Sequence, residues 1–190
     1  MLIRTEQTPN PATRKFLPDQ PVMDAGTRDF ADADSAEASP LAKALFDSGL
    51  VEGVFYGRDF VSVTAAPGVS WTDAEPLVLE TLLDHFVGGA PLFAAGTAAG
   101  IHVAGDDDFD DDPADAEIID QIKELIETRV RPAVAQDGGD IAYKGFRGGH
   151  LYLSMHGACS GCPSSTATLQ HGIQNLLRHF VPDVVEVRPM

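Results

Sequence analysis

Between Ile118 and Val130 the apolar residues fall at Ile118, Ile119, Ile122, Leu125, Ile126 and Val130. That three-and-four spacing marks one face of a helix. Pro132 stands in the same run and predicts a kink or an end, although a helical pattern can resume at Ala133. After Asp137-Gly138-Gly139-Asp140, a turn, the period changes. Ile141 to Phe146 and His150 to Met155 read as two strands around Arg147-Gly148-Gly149. Pro163 to Phe180 returns to helical spacing with Ile173, Leu176, Leu177 and Phe180 on one face, and Asp183 to Arg188 reads as a closing strand. The order α-β-β-α-β is enough for a small independent core.

The first half of the chain carries a second set of patterns. Thr8-Pro9-Asn10-Pro11 is a turn signal before an extended stretch, Arg14 to Leu17. Ser39-Pro40 announces a helix, with a capping hydroxyl followed by proline at the first helical position. Leu41, Leu45 and Phe46 form its stripe and Gly49 ends it. Val51 to Tyr56 and Phe60 to Thr64 read as a hairpin. Glu75-Pro76 predicts the start of a second helix, lined by Leu77, Leu79, Leu82, Leu83 and Phe86 and stopped by Gly88-Gly89. Trp71, Phe55 and Phe60 read as core residues.

Charge separates the two patterned regions. Residues 1–100 carry a net of −8 and residues 117–190 a net of −1, whereas residues 101–116 hold seven aspartates and no Lys or Arg. Nearly half of the total charge of −16 therefore sits in one short segment. Glycine and alanine before it, and self-repulsion within it, predict a solvated tether. A calcium loop counted from Asp106 would need Gly at its sixth position and Glu at its twelfth. The sixth is Asp111, so that motif fails. The expected organisation is two small α+β domains, residues 1–88 and 116–190, joined by a flexible Gly/Ala- and Asp-rich linker at 89–115.

Composition narrows the function classes. A hydrophobic fraction of 44% excludes wholesale disorder. Two cysteines cannot staple a secreted mini-protein. The acidic balance disfavours nucleic acid and anionic membranes as partners. The uncharged run His85 to Gly105 is too rich in glycine to be read as a membrane span. No signal peptide is visible at Met1–Glu6. These features predict a soluble protein of a reducing compartment, a bacterial cytoplasm or a mitochondrion after processing. No nucleophile–base pattern and no phosphate-cradling loop is found, which predicts a protein that is not an enzyme.

Both cysteines lie in one motif, Gly157-Ala158-Cys159-Ser160-Gly161-Cys162-Pro163. It follows a predicted strand and opens a predicted helix. Two thiols three positions apart can hold one metal ion or one edge of a cluster. Backbone N–H groups at the helix end would favour thiolates, the species that binds metal. Four readings stay open on spacing: an iron–sulfur site, a dithiol that cycles through a disulfide, structural zinc with His156 as a further ligand, and two buried structural cysteines. Ligand counting adds one inference. An iron–sulfur cluster takes about four thiolates, so one chain's pair points to a cluster shared across a two-fold dimer.

The chain resembles the Nfu-type iron–sulfur carrier proteins over nearly its whole length. The second region is similar to the NifU C-terminal domain through Thr128-Arg129-Val130-Arg131-Pro132-Ala133-Val134, Gln136-Asp137-Gly138-Gly139-Asp140-Ile141 and Cys159-Ser160-Gly161-Cys162-Pro163-Ser164-Ser165-Thr166. The first resembles the Nfu N-terminal domain through Thr8-Pro9-Asn10-Pro11, Lys15-Phe16-Leu17-Pro18, Ser39-Pro40-Leu41-Ala42 and Val54-Phe55-Tyr56-Gly57-Arg58-Asp59-Phe60. The resemblance implies a [4Fe–4S] cluster bridged between two subunits by Cys159 and Cys162 of each. It implies receipt of that cluster from an upstream assembly scaffold and delivery to apo iron–sulfur proteins. It also implies no permanent [2Fe–2S] centre, because the cysteine-rich and ferredoxin-like domains of full NifU proteins are not in this sequence. His156 departs from the family pattern, where a neutral polar residue is expected, and reads as an exposed strand-end histidine. The Asp137–Asp140 turn reads as a structural turn needing positive φ, with shaping of the cysteine loop as the alternative.

Overall fold

A computed structural model describes residues 1–95, 111–160 and 163–190. The chain divides into two compact units, Met1–His102 and Val103–Met190. Each has its own sheet and its own core, an α+β arrangement in both cases.

In the first unit the strands are β1 (Ile3–Gln7), β2 (Thr13–Pro18), β3 (Arg28–Phe30), β4 (Val51–Tyr56) and β5 (Val61–Ala65). They form one antiparallel sheet in the order β1-β2-β5-β4-β3. The helices are α1 (Ala33–Ala36), α2 (Pro40–Asp47) and α3 (Trp71–Gly88). The hairpin and α2 lie where the pattern predicts them. Ser39 caps α2 by accepting from the Ala42 N–H and exchanges a 2.8 Å hydrogen bond with the buried Tyr56 hydroxyl. One serine thus ties the helix start to the sheet. Phe16, Phe30, Leu41, Leu45, Val54, Val63, Val78 and Leu82 fill the core.

Helix α3 begins four residues before the predicted Glu75. The hydroxyl of Ser70 accepts from the Thr72 N–H, and this cap sets the start. Pro76 is then an interior residue of the second turn rather than the first residue. Trp71 packs on Phe16, with ring centroids 6.1 Å apart, while Phe55 and Phe60 pair with each other. Strands β1 and β3 and helix α1 carry too few apolar residues to be read from periodicity.

The second unit runs through a 3-10 turn (Pro113–Asp115), α4 (Ala116–Leu125), a π-helical turn (Ile126–Val130), α5 (Arg131–Gln136), β6 (Gly139–Arg147), β7 (His150–Gly157), α6 (Pro163–Phe180) and β8 (Glu186–Pro189). The sheet order is β6-β7-β8, with β6 and β7 antiparallel and β8 parallel to β7. Ile122, Ile126, Val134, Ile141, Leu151, Leu153, Leu177 and Val187 are the centre of the core. Phe180, expected on the buried face of α6, is 45% exposed and lies under the Arg129 guanidinium. The closing strand starts at Glu186, three residues later than the pattern suggests.

Pro132 neither ends the helix nor breaks it. A proline in a helix lacks a donor and presses on the carbonyl four residues back. The preceding turn opens instead: the Arg131 N–H donates to Ile126 O, five residues earlier. The widened turn makes room for the ring, and α5 continues to Gln136.

Residues 96–110 of the expected linker lie outside the described residues, and both flanks are held. Leu92 and Phe93 pack against the first core, and the Ala94 N–H donates to Ala38 O. Asp111 accepts from the Tyr143 hydroxyl at 2.8 Å and from the Phe146 N–H at 3.0 Å, beside the bulge in β6. Asp112 accepts from the Ala114 N–H and starts the 3-10 turn. Among the described residues no helix is long and apolar enough to cross a membrane.

Candidate functional site

The motif sits where β7 leaves the sheet and α6 begins. Gly157 ends β7 with φ of 65° and turns the chain. The Ser160 N–H and hydroxyl both donate to Gly157 O, at 3.0 and 2.8 Å, which closes the turn that holds Cys159. Cys162 lies outside the described residues, and α6 starts directly after it at Pro163.

Cys159 packs into the core of the second unit and is 5% exposed. The start of β6 lies against it. Gly138 takes φ of 82°, and its carbonyl accepts from the Ala158 N–H at 3.2 Å. Gly139 pairs with Gly157 across the sheet. A Cβ at Gly139 would lie 2.6 Å from Cys159 Sγ and 2.6 Å from His156 O. The Asp-Gly-Gly-Asp segment therefore does two jobs. Gly138 supplies the left-handed turn, and Gly139 leaves the space in which the thiol rests.

The electrostatics of Cys159 differ from expectation. The sequence predicts a thiol lowered by a helix end. Burial instead pushes Cys159 up to about 12, with the carboxylates of Asp137 and Asp140 adding to the effect. In this state the group is a thiol at neutral pH, and any metal bound there would have to displace its proton. Iodoacetamide at pH 8 is therefore expected to modify Cys159 roughly tenfold or more slower in the folded chain than in the denatured one. The rate should keep rising well past pH 9, and site-resolved mass spectrometry reads it. Stability follows the same sign. Above the ordinary thiol value of 9.0 the unfolded chain loses this proton first, so the second unit weakens as pH climbs from about 9 toward 12.

Asp140 is buried, and its partner comes from the helix before it. Arg131 Nε donates to Oδ1 at 2.8 Å and Nη2 to Oδ2 at 2.7 Å, a two-point fork. Oδ1 also accepts from the Ile141 N–H. Glu127 binds the remaining arm of Arg131 at 2.7 Å. These hydrogen bonds hold the Arg131 guanidinium above its ordinary range. This pair was not legible as a site feature, because Arg131 and Asp140 are nine residues apart and belong to different elements. His156 is half-buried and shares a 3.0 Å hydrogen bond with Ser154 from its Nε2. Among the described residues no three His, Cys, Asp or Glu side chains converge on a point that could hold a metal ion.

Comparison with known proteins covers both units. Residues 3–89 match the family described as the scaffold protein Nfu/NifU N terminal, and residues 122–188 match the NifU-like domain. The chain is 47% identical over 186 residues to the Arabidopsis thaliana NifU-like protein 4, mitochondrial, across 97% of this chain and 64% of that protein. It thus spans a little under two thirds of that relative. It is 42% identical to the Homo sapiens NFU1 iron-sulfur cluster scaffold homolog, mitochondrial, across 97% of this chain and 70% of that protein. A solution structure of a NifU-like protein from Saccharomyces cerevisiae aligns with half of the chain at 23% identity and a TM-score of 0.45.

Proposed function

The chain belongs to the Nfu/NifU family of iron–sulfur scaffold proteins, and from that premise we propose that it carries a [4Fe–4S] cluster bridged between two copies of itself. Cys159 and Cys162 of each copy are the proposed ligands. The observation that carries the reading is the Cys-Ser-Gly-Cys pair on the loop between β7 and α6 of the NifU-like domain, with Cys159 seated against Gly139. Ligand arithmetic supports the shared cluster. A cluster wants about four thiolates, and the chain holds two cysteines. Few contacts from each chain suit a cargo that must be released. The protein is then a non-enzymatic carrier, loaded by an upstream assembly scaffold and unloaded on apo iron–sulfur proteins. Thiolate ligation suits a reducing compartment, bacterial cytoplasm or mitochondrial matrix.

The alternative is a thiol–disulfide module that uses the same cysteine pair and predicts a monomer with dithiol exchange and no iron. We further propose that residues 1–88 recognise donors or clients and that the acidic linker widens their reach.

Anaerobic reconstitution tests the reading. About four iron and four sulfide per dimer are expected, with loss of both in Cys159→Ala and Cys162→Ala while far-ultraviolet circular dichroism is unchanged. A monomer that takes up no iron and cycles a disulfide would overturn it.

A further inference from the structure

We propose that Arg131 is the positioning residue of the cysteine loop, acting through Asp140. The inference rests on the carrier reading for its functional meaning, and on geometry for its substance. Arg131 grips Asp140 through one edge of its guanidinium, Nε and Nη2, at 2.8 and 2.7 Å. Asp140 is the residue after Gly139 and stands opposite His156 across the β6–β7 pair. On the other side of Gly139, Gly138 O accepts the Ala158 N–H. Gly139 itself leaves no room for a side chain against Cys159 Sγ. The guanidinium therefore fixes the strand end on which the thiol rests.

The helix ahead of it aims the side chain. The π-helical turn Ile126–Val130 holds one more residue per hydrogen-bonded loop than an α-turn. Each added residue swings later side chains by about 100° around the axis. Pro132 maintains that wide turn by removing the next donor. Proline, wide turn and arginine thus form one device, and its output is the position of Asp140. Lysine would keep the charge and lose the two-point geometry.

Arg131→Lys separates position from charge. Three readouts are compared with wild type: amide exchange in peptides covering residues 155–160, alkylation of Cys159 at pH 8 in the metal-free full-length chain, and the decay of the reconstituted cluster. Each is expected to speed up by about tenfold, the effect of roughly 1.4 kcal/mol. Exchange in the α4 peptides should stay unchanged, as should the Glu127→Gln variant, which removes only the exposed partner. If Arg131→Lys folds poorly, Asp140→Asn keeps the carboxylate's shape and is read by exchange alone, since loss of its charge itself activates the thiol. Wild-type exchange at residues 155–160 in a folded variant overturns the proposal. So does equal acceleration in α4, because Arg131 would then act on overall stability only. Failure of the wild type to take up iron would sink the carrier reading and leave the exchange and alkylation comparisons standing.

Discussion

Gly139→Ala is expected to lower cluster uptake by about tenfold or more and to speed alkylation of Cys159, although the substitution adds one methyl group. The new Cβ would meet Cys159 Sγ and the His156 carbonyl, each at 2.6 Å. One neighbour is the proposed ligand and the other is backbone of β7, so neither yields without moving the loop. Forced overpacking costs about 1–3 kcal/mol. In a unit of this size each kilocalorie shifts the melting midpoint by roughly 4–8 °C. No positive φ is involved at this glycine, so the penalty is steric and reports the thiol's seat directly. Gly172→Ala is the matched control. It lies in α6 with nothing within 4 Å of its would-be Cβ, and alanine there is expected to stabilise by roughly 0.5–1 kcal/mol. Wild-type cluster content in Gly139→Ala, measured as iron and sulfide per dimer, would show that the thiol is not held against this strand.

Most of the second unit was legible because its patterns are long and its punctuation is unambiguous. Ile118 to Val130, the two strands and the run from Pro163 to Phe180 each repeat a period often enough to decide element type. What escaped was local. The proline at Pro76 drew the predicted helix start to Glu75, whereas the hydroxyl cap of Ser70 places it at Trp71. Pro132 left a kink or a stop open, and the answer was a wider turn, which involves one hydrogen bond shifted by a residue. Asp111 looked like one more charge on a tether, yet it is a fixed acceptor for Tyr143 and Phe146. In the site, spacing singled out the Cys159/Cys162 pair as the candidate but not the environment of Cys159. Burial and the carboxylates of Asp137 and Asp140 push the Cys159 thiol up, and those neighbours come from elements that a one-dimensional reading keeps apart.

Leu177→Ala is expected to unfold the second unit at a much lower temperature while leaving the first unit's transition in place. Leu177 is fully buried at the centre of the second core. Removing three carbons there costs about 2–5 kcal/mol. A body of this size is stable by only about 0.05–0.15 kcal/mol per residue, so the loss consumes much of the margin. Bound cluster would offset part of it, since anything bound only to the folded form adds stability by mass action. The variant should therefore show its largest deficit before loading. The two cores share no residue, and the chain's single tryptophan, Trp71, packs in the first. Trp71 fluorescence consequently follows one unit and cluster absorbance the other. An unmoved tryptophan midpoint beside a collapsed capacity for cluster would mean that the N-terminal unit folds on its own core. A tryptophan midpoint that falls in step would mean that the two units unfold as one.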